Sequence, residues 1–166
     1  QTRGRIWRVT FKDRPLLKKK DFTKASIDEL LTFIHSKEPL HRDLARKELR
    51  TRTGPEIVPA LTLRAADPKE DFERLQSLWT FQSLNKTNVE LLKALVGSKD
   101  PRYRAAALRV LYHRQDEVPE SAQIIATAIN DANAQVRLWA ISCLAQKPGP
   151  HSVPTALQAL NHPVDE

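Results

Sequence analysis

The chain has 166 residues, enough for one domain with its own core. Lys and Arg number 27 against 20 Asp and Glu, and a 28% charged, 40% apolar composition excludes both a disordered and a membrane-embedded chain. Four glycines argue against a turn-dense β fold or a glycine-rich nucleotide cradle, and a single cysteine excludes an intrachain disulfide, a cysteine-based zinc site and a two-cysteine haem attachment.

Methionine is absent even at position 1, which points to a segment of a longer chain. No run approaches the ~20 apolar residues of a membrane span, and the basic N-terminus lacks the apolar stretch of a signal peptide.

The charge is uneven. Residues 1–24 hold nine basic and two acidic side chains, whereas residues 25–166 hold 18 of each. The net charge of +7 therefore lies wholly in the leading segment, which weakens a nucleic-acid reading of the body. Within residues 5–11, Trp7, Val9 and Phe11 alternate with Ile6, Arg8 and Thr10, a period that predicts a β-strand. Pro15 ends it and a lysine-rich linker follows, so residues 1–24 are expected to form a strand and linker contributing little to the main fold. Trp7 and Phe11 are expected to pack on the first helices or pair with another chain.

From Ser26 the pattern is helical. Ser26 with Glu29 makes a capping box, and Pro39, Pro55 and Pro101 sit where further helices should start. A frame Arg-x-x-Ala-x-x-x-Leu then recurs. Its arginines are Arg42, Arg74, Arg104 and Arg137, spaced 32, 30 and 33 residues apart. Its small residues are Ala45, Ser77, Ala107 and Ala140, and its large ones Leu49, Phe81, Leu111 and Leu144. Small and large residues four apart share one helix face, so a neighbouring helix can approach at the small one. Units of this kind cannot bury their apolar faces alone and must stack. A fifth unit begins near Ser152 with Val153, Ala156, Leu157 and Leu160, and its second helix is cut short.

These residues resemble a HEAT-repeat array, notably Asp100-Pro101-Arg102-Tyr103-Arg104 and Gln135-Val136-Arg137. The resemblance covers roughly residues 26–162. It implies an all-α fold: a right-handed α-solenoid of four to five helix pairs over residues 25–166, with a short β-strand remnant before it. The order Gly4-Arg5-Ile6-Trp7-Arg8-Val9, then Leu40-His41-Arg42-Asp43-Leu44-Ala45-Arg46, then Leu78-Trp79-Thr80-Phe81 is similar to the large bacterial membrane-bound dehydrogenase family. That resemblance implies an upstream propeller carrying dehydrogenase activity, a downstream c-type haem domain, and an extracytoplasmic location. No cofactor is expected in this segment itself.

The five histidines show no metal-ligand spacing, and Cys143, next to Leu144, is expected to be a buried, inert thiol. Asp116-Glu117, Glu70-Asp71 and Asp28-Glu29 fall at turns or helix starts, where carboxylates favour the helix N-terminus. Trp79 and Trp139 are either core residues or binding anchors on an inner face. The repeated arginines either ladder between units or contact a ligand. Arg46, Lys47 and Arg50, with Arg52, form a basic patch, and with Trp79 and Arg109 they are the binding candidates. The expected function is a non-catalytic protein-interaction and spacer module, without a membrane span and with proteins as partners. The alternatives are a nucleic-acid-binding HEAT module of the base-excision type and a HEAT-type lyase acting on a prosthetic group.

Overall fold

The structure, a computed structural model, describes residues 20–52 and 54–163, with Trp7, Val9, Thr10, Lys12, Asp13 and Pro15 of the leading segment. Among these residues it is all-helical, without a strand. The α-helices are α1 (Ile27–Phe33), α2 (Pro39–Thr51), α3 (Ile57–Ala65), α4 (Asp71–Ser83), α5 (Val89–Val96), α6 (Pro101–Arg114), α7 (Ser121–Ala128), α8 (Ala134–Gln146) and α9 (Ser152–Leu157). Short 3-10 helices cover Phe22–Lys24, Gln115–Glu117 and Gln158–Asn161.

Helix starts follow local chemistry. The Glu29 N–H donates to Ser26 Oγ at 3.2 Å and the Ser26 N–H to Glu29 Oε2 at 2.9 Å, the reciprocal pair that satisfies two otherwise unbonded donors. Asn88, Asp100 and Asn133 cap α5, α6 and α8 through their side chains. Pro39 and Pro101 occupy the first helical position, where the missing N–H costs nothing. Pro55 differs: it lies in a turn, and α3 begins at Ile57. The end of α4 is set by Asn85, whose φ of 57° is left-handed. Its N–H bonds Gln82 O at 3.0 Å and the Lys86 N–H bonds Phe81 O at 2.9 Å, which closes the last turn.

Contacts run in a regular scheme. Each odd helix packs on the even helix after it: α1 on α2, α3 on α4, α5 on α6 and α7 on α8. The even helices also touch in order, α2 to α4, α4 to α6 and α6 to α8. At these seams Ala45, Ser77, Ala107 and Ala140 are all 0% exposed. Leu49, Phe81 and Leu111 fill the layer beside them, while Leu144 is only half-buried and Cys143 takes the buried place in α8. The result is one continuous apolar core.

Two expectations change at the N-terminal end. The predicted strand over residues 5–11 lies mostly outside the described residues; within it, Trp7 and Val9 are 77% and 94% exposed, so Trp7 does not pack on the first helices. Phe22, within the segment expected to be linker, belongs to the core. Phe22 is buried, with ring centroids 5.2 Å from Phe33 and 5.7 Å from His41. Lys20 lies 4.1 Å from the Phe33 ring centroid and pairs with Glu29, so the packed body reaches back to about Lys20. At the other end, Val153, Leu157 and Leu160 remain exposed.

Phe22→Ala is expected to cost about 3 kcal/mol, whereas removal of residues 1–19 should leave the urea midpoint unchanged. Ala107→Leu and Ala140→Leu should each overpack a helix seam and cost about 1–3 kcal/mol by the same measurement.

Candidate functional site

The repeated arginines form a structural clasp. Arg42 Nη1 donates to Ser36 O and Lys37 O at 2.8 and 3.0 Å. Arg104 Nη1 donates to Ser98 O and Lys99 O at 3.0 and 3.1 Å, and Arg137 Nη1 to Asp131 O and Ala132 O at 3.0 Å each. In each case a guanidinium satisfies the last carbonyls of the turn that feeds its helix. Arg74 departs from the scheme: it pairs with Asp71 at 2.7 Å, and Asp71 accepts from Ser98 Oγ at 2.5 Å. Arg104 also holds Asp131 with two bonds of 2.7 Å, linking consecutive units. Burial would raise the Asp131 carboxyl; hydrogen bonds from Arg104 and the Asn133 N–H outweigh it and hold the group below its ordinary range. Arg42 instead lies 5.4 Å over the Phe72 ring.

The binding candidates lie on the opposite side of the register, on the exposed face of the even helices. Arg46, Lys47, Arg50 and Trp79 meet in one cleft between α2 and α4, with Asp43 and Ser83. Arg46 donates to Gln76 Oε1 at 2.9 Å and Asp43 Oδ1 at 3.0 Å, and its guanidinium lies 5.9 Å from the Trp79 ring centroid. Arg109 is not part of that cleft. It lines a second one between α6 and α8 with Tyr112, His113 and Trp139, and stands 5.7 Å over the Trp139 ring. Tyr112 meets the same ring edge-on, with centroids 6.2 Å apart.

The two clefts share part of a register, although Trp79 falls two residues after its small residue and Trp139 one before. Lys47 and Arg109 both fall two residues after the small residue of their helix, and Arg50 and Tyr112 both fall five after it. Ser83 and Gln146 close the two clefts from the following helix, each six after its small residue. Tyr112 and His113 were not singled out in the sequence, although the register of Arg50 leads to Tyr112 directly.

The balanced charge of the body also hides a segregation. The even helices carry ten basic and four acidic side chains; α1, α3, α5 and α7 carry two basic and three acidic. Neither α6 nor α8 contains an acid.

Other reactive groups are packed away. Cys143 is buried, and desolvation pushes its thiol up to about 12, so the nucleophilic thiolate is suppressed. His35 Nε2 lies 3.0 Å from Ser77 Oγ, a nucleophile-and-base pairing by distance, but Ser77 is fully buried between helices and no substrate can reach it. Among the described residues no group of three or more His, Cys, Asp and Glu could hold a metal ion, and no helix is long and apolar enough to cross a membrane. Comparison with protein-family models, curated proteins and solved structures finds no match to this chain.

Burial lowers the His35 pKa; Glu73 opposes this and Arg64 adds to it. A depressed folded-state pKa means the unfolded chain binds the proton first as pH falls below about 6.5, so stability is lost on the acid side. His35→Gln should therefore show a smaller drop in urea midpoint between pH 7.5 and 5.5 than the unsubstituted chain.

Proposed function

We propose that this chain is a non-catalytic protein-interaction and spacer module, built as a right-handed solenoid of HEAT-like helix pairs. In this reading the odd helices form the outer layer and the even helices an inner, ligand-facing row. The observation that carries it is the recurrence of a cation beside an indole in a cleft at the α2–α4 and α6–α8 seams, with Lys47 and Arg109 at matching helix positions. Repeats that keep a surface position as well as a core position suit a face that meets a long partner rather than a small substrate.

The wider setting follows from the sequence resemblance alone. It is a larger bacterial extracytoplasmic redox protein in which a propeller acts on substrate and a c-type haem domain carries electrons. The module would space those domains and dock a neighbouring domain or subunit. A base-excision-type nucleic-acid module is the second reading, favoured by the basic bias of the even helices. Against it, α4, which lies between α2 and α6, carries two acids and one base and interrupts the basic row.

Excising residues 20–163 from the parent protein should abolish assembly of its remaining domains or subunits, read by size-exclusion chromatography. Normal assembly and turnover after excision would refute the module reading.

A further inference from the structure

We propose that the even-helix face binds an acidic, extended peptide segment of a partner protein, gripped at two points by the Trp79 and Trp139 clefts. This rests on the interaction-module reading and names the chemistry of its partner.

The first support is unspent positive charge. Among the described residues Lys47 and Arg50 have no acidic partner, and Arg109 meets only the Trp139 ring. Arg46 is different: Gln76 and Asp43 hold it, so it shapes the first cleft more than it offers charge. Exposed cations outside ion pairs attract anions; Asp43 lines the first cleft but is held by Arg46, and a carboxylate entering the second cleft meets no like charge from α6 or α8.

The second support is chemical pairing within each cleft. A half-buried indole beside a cation offers an apolar wall and a charge together. Side chains of an acidic segment with interspersed apolar residues satisfy both, the carboxylate on Lys47, Arg50 or Arg109 and the apolar neighbour on the ring.

The third support is spacing. The clefts lie two helix steps apart along α2, α4, α6 and α8. At 8–10 Å per step that is about 16–20 Å, which about six residues of extended chain cover. A mixed peptide can place neutral residues over α4, which carries two acids and one base, between its acidic blocks. The phosphates of a nucleic-acid backbone recur without interruption, which suits that break in the basic row less well.

The probe is the fluorescein-labelled peptide Glu-Leu-Glu-Gly-Ser-Gly-Glu-Leu-Glu, whose two acidic blocks are centred about 20 Å apart when extended. Its comparators are the same peptide with the second block replaced by Gly-Ser-Gly, and a short DNA duplex. Anisotropy titration of the whole chain should show the two-block peptide binding at least about 10-fold tighter than the one-block peptide. Lys47→Glu with Arg50→Glu, and separately Arg109→Glu, should each reduce it to the one-block level. The three side chains are exposed, and circular-dichroism melting should confirm an intact fold in each variant. Equal affinity for both peptides, unchanged binding by the variants, or tighter binding of the duplex would overturn the proposal. If no acidic peptide binds yet excision of residues 20–163 still abolishes parent assembly, this inference fails and the module reading stands. If assembly is also normal, both fail.

Discussion

Close approach of the even helices is the constraint on which everything else rests. Ala45, Ser77, Ala107 and Ala140 leave no side-chain bulk at the seams, and that lets Leu49, Phe81 and Leu111 interlock beside them. Burying a Leu or Phe contributes ~1.5–3 kcal/mol each, and solvent screens an exposed ion pair such as Lys93–Glu120. Packing therefore holds the helices together, and the many surface salt bridges adjust it. The two clefts follow from the same geometry: helices brought together at the small residue leave a shallow cleft on the exposed side, and residues two, five and six positions later are among those that line it.

The arginine clasp fixes how the chain enters each even helix. A guanidinium that bonds two carbonyls five and six residues back ties the turn to the helix it starts. Three of the four units use it. In the remaining unit the feeding turn carries Pro68, and Arg74 takes up Asp71 instead. The lost turn contact is replaced by a link onward, since Asp71 also accepts from Ser98 in the turn that feeds α6.

Much of this was legible in the residues, because helix caps and seams depend on local spacing. The Ser26–Glu29 box, the prolines opening α2 and α6, and the small-residue row all follow from chemistry within one or two turns. Less legible was anything set by tertiary packing. Phe22 reads as part of a charged linker until Phe33 and His41 are placed around it. Leu144 and Cys143 are adjacent, and only the face that α8 turns to its neighbours decides which is buried. The candidate cluster Arg46, Lys47, Arg50 and Trp79 does converge, whereas Arg109 belongs to another cleft with Tyr112 and His113. The net-neutral body concealed the basic bias of the even helices, since a sum over the chain discards position.

Cys143 gives the seam between α6 and α8 a clock of its own. Its sulfur sits 3.5 Å from the Leu108 carbonyl of α6, sealed between the two helices. A thiol reagent in the surrounding water meets the sulfur only when the packing around α8 opens. The chain has no second cysteine, so the alkylation rate in native buffer counts openings around α8 alone. Separation of α2 from α4 at the far end leaves the clock untouched. The protein thus carries a built-in means of telling fraying at its C-terminal half from fraying at its N-terminal half.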